Sequence, residues 1–499
     1  MPMIMWRALG CGTSENRYIR EPDGGADMSA KFAWVTAAAT AMIVSAGVAA
    51  SAAPGDPGSP RFGPGAPGAG DPYFPLAGNG GYDVTHYDLE IDYQPPGPAP
   101  APLEGTMQAT ATLSITPTQN LDQFNLDLRD LDVESVVVRG RPARFTHDDG
   151  ELVVTPRPKM HAGRPVRVEV TYGGTTGRPT DIEGALYGWV TTRDGAMVVN
   201  EPDGASTWYP VSDHPTDKAT YDFDITVPEG LVAVANGDLV DSRTSNGRTT
   251  WSWSSRDPMA SYLSTASVGN YELRTSKTPD GLPLIDAIDR DLAPDASAGL
   301  AQTAEMIAFF EGEFGPYPFD SFGAIVDDDS VGYALETQTR PIYSRRASEG
   351  TVAHELAHQW MGNSVSPQRW RHIWLNEGWA TYASWIWAEH DGGTTAREQF
   401  EDVMAIPADD EFWQTIVADP GATGLFAGAV YDRGAATLYA LRQEIGDAAF
   451  GELSRAWPQG FADSTATTED FQELAEEISG RDLAAFFDAW VRTPAKPTP

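Results

Sequence analysis

The sequence predicts an α+β chain with two folded domains, an antiparallel β domain first and a mainly helical one second. Three observations carry this reading. At 499 residues the chain is about three times a usual domain. Apolar residues alternate with period two over 82–271, and from 301 onward they recur at helical spacing. With 41% apolar residues and 15 Trp, disorder of the whole chain is excluded.

In chain order, residues 1–53 read as an export signal with an over-extended start. Lys31 precedes an uncharged, Ala-rich run over 32–53, and Ala50 and Ala52 offer an A-x-A cleavage site, while the stretch before Met28 is polar. No Cys follows that run to receive a lipid. The expectation is a secreted or extracytoplasmic protein, free of the membrane once cleaved. Residues 54–72 are nearly all Gly, Pro, Ala and Asp and read as a disordered linker.

The β domain is expected over 73–276. Tyr87, Leu89, Ile91 and Tyr93 alternate with Asp88, Glu90 and Asp92; Met107 to Ile115, Val166 to Tyr172 and Tyr221 to Val227 repeat the pattern. Turn residues at 279–283 then introduce a second domain over 277–499, with helices expected at 301–314, 348–361, 375–389 and 433–445. Trp360, Trp370, Trp385 and Trp387 are expected in its core, and His372 and His390 as ordinary histidines.

The net charge of -37, from 34 basic and 71 acidic residues, would repel phosphates, which excludes nucleic acid as a partner. Cys11 is the only cysteine, so a metal site must be built from His and carboxylates. His354-Glu355-Leu356-Ala357-His358 supplies one. Its two imidazoles lie four apart on one helix face, which Ser348 can cap and Gly362 can end, and Glu355 sits about 100° round, placed to reach a water beside the metal. A catalytic zinc needs a third protein ligand. Glu377, in Asn376-Glu377-Gly378-Trp379-Ala380 at the start of the next helix, is the candidate.

His354-Glu355-x-x-His358, eighteen residues, then Glu377 resembles the gluzincin aminopeptidases of peptidase family M1, relatives of aminopeptidase N and leukotriene hydrolase. The resemblance implies a β-sandwich or saddle domain followed by a thermolysin-like zinc metallopeptidase domain, with one Zn2+ per chain. Gly332-Tyr333-Ala334-Leu335-Glu336-Thr337 is similar to the family's G-x-M-E-N segment, which lies along the substrate as a strand. By that likeness Gly332 and Ala334 line the substrate and Glu336 holds its free α-amine, while Tyr333 and Thr337 depart from the pattern. Glu201 matches a second amine contact, and Tyr431, in Tyr431-Asp432-Arg433-Gly434-Ala435, matches the phenol that stabilises the tetrahedral intermediate. Larger members continue into a helical domain that roofs the site, and here the sequence ends about sixty residues after Tyr431.

The expected activity is removal of N-terminal residues from peptides with a free N-terminus, Glu355 acting as general base and Tyr431 as oxyanion stabiliser. The alternatives are an open-site metallo-endopeptidase, a lipid epoxide hydrolase, and a non-catalytic zinc-containing binding protein. The sequence leaves the oligomeric state undetermined.

Overall fold

A computed structural model describes residues 61–498. The expected export signal and the first part of the Gly/Pro stretch lie outside the described residues. No helix among the described residues is long and apolar enough to cross a membrane. From Phe62 onward the chain packs as one unit.

The first half is built on an eight-stranded sheet. Its strands run in the order Asp238–Ser245, Arg248–Ala260, Lys218–Pro228, Tyr82–Gln94, Gly105–Pro117, Val166–Thr176, Asp132–Val138 and Arg141–Pro142. The period-two pattern emerges as burial on one face: Tyr87, Leu89, Ile91 and Tyr93 are buried while Glu90 and Asp92 are exposed. A bulge between Val84 and His86 shifts the phase, so that Val84 and Tyr87 both face inward. Within this sheet the antiparallel expectation fails at one junction, because Tyr82–Gln94 and Lys218–Pro228 pair in parallel. Parallel neighbours require a long crossover, and here the chain between them builds the rest of the domain.

A smaller sheet, in the order Gly188–Thr191, Ala196–Val199, Ala266–Gly269 and Val232–Ala235, is buried along every strand. Covered on both faces, it has no solvent side to impose alternation. It ends beside Glu201.

Residues 61–72 do not form the expected free linker. Gly63–Pro64 pairs in parallel with Leu121–Asp127, and Asp71 is 1% exposed. The Asp71 carboxylate accepts the Tyr73 N–H at 2.8 Å and the Trp370 N–H at 2.9 Å, and faces His214 Nε2 at 3.6 Å. Tyr73 adds hydrogen bonds to Asp419 and from the Gly421 N–H. Composition alone predicts disorder, and a few polar anchors override it.

The second half contains more β structure than its helical periodicity suggests. A mixed sheet runs in the order Tyr271–Lys277, Pro283–Asp289, Phe322–Asp327, Ile342–Ser344 and Ala334–Leu335. The turn at 279–283 therefore joins two strands of this sheet, and the change of sheet falls at Asn270. Phe322–Asp327 is buried throughout and carries no alternation to read. The helices that matter for the site are α1 (Thr303–Phe314), α2 (Glu349–Ala357), α3 (Trp374–His390), α4 (Ala396–Ala405) and α5 (Gly428–Ile445). Trp360, Trp370, Trp385 and Trp387 are all buried. His372 accepts the Thr468 N–H and His390 packs on Phe309, each away from the other histidines.

Asp71 ties the N-terminal segment to the turn that precedes α3. Burial opposes its charge, yet the His214 contact and the two N–H donors hold its carboxyl below the usual 3.8. Asp71→Ala leaves the N–H groups of Tyr73, Phe74 and Trp370 without this acceptor and should cost about 2–4 kcal/mol, read as a lower midpoint in thermal or urea unfolding. Because the folded-state pKa is depressed, the contribution is present at neutral pH and is lost as pH falls through that pKa. The gap between the two proteins should therefore close in acid.

Candidate active site

The site starts from α2. Ser348 caps it, its hydroxyl accepting the Thr351 N–H at 3.4 Å, and the helix carries His354 on its inner face and hands on to His358 at its C-terminal end. Glu377 comes from the first turn of α3. Nε2 of His354 and Nε2 of His358 lie 3.1 Å apart, and Glu377 Oε2 is 3.3 Å and 3.5 Å from them. His358 Nδ1 lies 3.1 Å from the Met361 carbonyl, and donation there leaves Nε2 as the lone-pair nitrogen.

These separations test the fit of a metal. Tetrahedral zinc with bonds of about 2.0–2.1 Å holds its ligands about 3.3–3.4 Å apart, which the triangle of donors reproduces. Two imidazole lone pairs and a carboxylate converge on one point, and only a cation satisfies all three. The electrostatics agree. Burial opposes the charge on Glu377, but the neighbouring imidazoles bring its pKa down to about 2. Burial likewise opposes a proton on His358, yet Glu336 and Glu377 lift its pKa to about 10. Buried His354 is lowered.

Glu355 lies beside the triad. Its carboxylate, His358 and Glu336 offer donor atoms all within 4.8 Å of one another. Burial pushes its pKa well above the usual carboxylate range, with the charges of Glu336 and Glu377 adding to the effect and His358 opposing it. Tyr431, on α5, stacks on His354 with ring centroids 6.0 Å apart. Helices α3 and α5 cross with backbones in contact at Gly378 and Gly434, where a Cβ on Gly434 would meet the Gly378 Cα at 2.9 Å. Those glycines, next to Glu377 and three residues after Tyr431, are what let the two side chains share one site.

Two more carboxylates complete it. Glu336 follows the edge strand Ala334–Leu335, and Glu201 leaves the buried four-stranded sheet through Asn200, whose side chain donates to the Ser264 carbonyl at 2.6 Å and accepts from Trp208 Nε1 at 3.1 Å. Glu201, Glu336 and Glu377 place oxygens within 4.8 Å of one another. Oε1 of Glu201 and Oε1 of Glu336 are buried without a hydrogen-bond partner. Burial raises the pKa of both, Glu336 to about 6, and neighbouring carboxylates add to the rise.

Gly332, with φ of 97°, turns the chain into Tyr333 and Ala334. Tyr333 donates its hydroxyl to the Leu186 carbonyl at 2.7 Å, and Thr337 turns its own back to the Arg340 carbonyl at 2.5 Å. The two departures from the motif are thus absorbed by local bonds, and Ala334–Leu335 keeps one edge unpaired among the described strands. Of the residues singled out in the sequence, His354, His358, Glu377, Glu355, Glu336, Glu201 and Tyr431 come together here, while Gly332 and Ala334 lie on the segment that leads into Glu336. Gln359 and Asn363, which the sequence analysis passed over, belong to the same neighbourhood; their only signal was two amides placed just past the histidine motif.

Known proteins share this arrangement. Residues 84–263 match the model of the peptidase M1 N-terminal domain, and residues 300–490 that of the peptidase family M1 domain. Glutamyl aminopeptidase of Sus scrofa is 26% identical over 455 residues, covering 83% of this chain and 47% of the relative. Aminopeptidase M1 of Arabidopsis thaliana is 26% identical over 330 residues, 60% of this chain and 37% of the relative. The chain thus spans less than half the length of these curated relatives. An M1 zinc metallopeptidase from Deinococcus radiodurans superposes with a TM-score of 0.79 at 27% identity, over 86% of this chain and 98% of the other. A mutant of that enzyme bound to a Tyr-Ser-Ala substrate matches equally, with a TM-score of 0.79 at 27% identity over 86% of this chain and 99% of the other. With both halves matched in order and the metal-binding motif inside the second, the chain belongs to peptidase family M1.

Proposed function

We propose that this chain is a secreted zinc-dependent aminopeptidase that removes the N-terminal residue from peptides. The observation that carries the reading is the pair of buried, unpartnered carboxylate oxygens on Glu201 and Glu336 beside the metal triad. A buried anion without a donor is costly, and a free α-ammonium group supplies both charge and hydrogen bonds. An N-acylated chain cannot. The same carboxylates therefore select the substrate's end and keep the middle of a peptide out. The tripeptide bound by the Deinococcus mutant is consistent with this substrate class.

Zinc held by His354, His358 and Glu377 would supply a Lewis acid for the scissile carbonyl and lower the pKa of a bound water. Glu355, buried beside the metal triad, takes a proton from the attacking water and returns it to the leaving amine. Tyr431 remains protonated because burial and then the charge of Glu377 push its pKa far above 10. Its hydroxyl can thus donate to the oxygen that gains charge. The unpaired edge of Ala334–Leu335 offers main-chain groups to an extended peptide, which keeps the scissile bond in register.

Glu355→Gln should retain one zinc per chain by metal analysis while turnover falls about 10²–10⁴-fold. Normal turnover would remove Glu355 from the base role. Glu336→Gln should lower kcat/KM on an aminoacyl amide by about 100-fold and leave the residual hydrolysis of its N-acetylated form unchanged; equal losses on both would contradict the amine anchor. Secretion rests on the apolar run over 32–53. Protein recovered from culture medium should begin, by N-terminal sequencing, close after Ala52, and an intact Met1 would overturn the export reading.

A further inference from the structure

Glu336 opens a loop, 336–340, that two side chains without a role in the chemistry hold in place. Gln359 directly follows the metal ligand His358 and is fully buried. Its Oε1 accepts the Thr339 N–H at 2.8 Å, and its Nε2 donates to the Glu336 carbonyl at 3.3 Å. Asn363, equally buried, donates its Nδ2 to the same carbonyl at 2.7 Å. One oxygen thus receives two amides from the end of the metal-binding helix. Satisfying a buried carbonyl takes only one donor, so the second adds constraint on position.

The rest of the loop is held from the β half. Asn236 donates to the Gln338 carbonyl at 2.7 Å, the Gly237 N–H to Thr339 Oγ1 at 2.8 Å, and Arg340 to the Gly237 carbonyl at 2.5 Å. Thr339 sits at φ 63°, a left-handed conformation that a β-branched residue adopts only when its surroundings impose it. Asn363 is itself fixed: its N–H donates to the His358 carbonyl at 2.9 Å, and its own carbonyl accepts from Lys218 Nζ at 2.9 Å.

Resting on the reading of Glu336 as the amine anchor, we propose that Gln359 and Asn363 are positioning residues that set the separation between the Glu336 carboxylate and the metal ligand His358. That separation determines how far the scissile carbonyl lies from the free N-terminus, and so restricts cleavage to the first peptide bond. The two amides share the Glu336 carbonyl, Gln359 Nε2 also donating to the Glu355 carbonyl of its own helix at 3.3 Å, and they act through backbone groups, not on substrate or metal.

The test compares two zinc-directed probes with the same side chain, leucine hydroxamate and its des-amino analogue 4-methylpentanoic hydroxamate. Binding of each to the zinc-loaded full chain is measured by calorimetry, alongside zinc content. Asn363→Ala and Gln359→Met should each weaken leucine hydroxamate about tenfold, because a displaced anchor loses the amine, and leave the des-amino probe and the zinc content unchanged. Equal weakening of both probes, or no change in either variant, would overturn the positioning role. If the unmutated chain binds the two probes equally, the amine anchor itself fails and the inference falls with it. Should one variant not fold, the other carries the same comparison.

Discussion

Four carboxylates, from Glu201, Glu336, Glu355 and Glu377, are buried around two imidazoles, and none of them has a lysine or arginine partner among the ion pairs of the described residues. Like charges this close and this dry cannot all remain ionised without a compensating positive charge. The site therefore calls for two cations of different kinds. A divalent metal suits the triangle of His354, His358 and Glu377, where lone pairs converge. On the proposed reading an ammonium group would suit Glu201 and Glu336, each of which leaves one buried carboxylate oxygen without a hydrogen-bond partner. Glu355 lies beside both, its carboxylate within reach of His358 and Glu336.

Holding such a site together falls to the scaffold, since the charges themselves repel. The close crossing of α3 and α5 at Gly378 and Gly434 brings Glu377 and Tyr431 into one volume, and no side chain at either glycine would permit it. Glu201 is delivered by a sheet buried on both faces, which cannot shift without disturbing the core of the β half. Backbone strain sits in the loop, at Thr339, and rigidity in the elements that carry the charged groups.

Much of this was legible in the sequence, for reasons particular to each element. The strand from Tyr82 has one buried and one open face, so its periodicity shows. Phe322–Asp327 is covered on both sides and shows none, which is why the sheet of the second half went unread. Residues 61–72 look unstructured by composition, and their order rests on single polar anchors such as Asp71 whose partners are distant in sequence. In the site, metal ligands were readable because coordination fixes their spacing within and between neighbouring helices. Glu201 and Tyr431 needed a family likeness, since nothing local distinguishes them from a loop acid and a packing aromatic. Gln359 and Asn363 lacked even that signal, because an amide acting on a backbone carbonyl leaves no pattern in the chain.

The division into two halves, evident in sequence and in sheets, does not divide the function. Glu201 comes from the β half, as do Asn236 and Gly237, which hold the far side of the loop after Glu336, and Lys218, which donates to the carbonyls of Asn363 and Ser364 at 2.9 Å and 2.8 Å. The second half carries the metal triad and Glu355, whereas the β half supplies Glu201 and part of the frame around Glu336. On the proposed reading of Glu201 and Glu336 as amine anchors, the β half would be the part that lets a zinc site measure from a chain end.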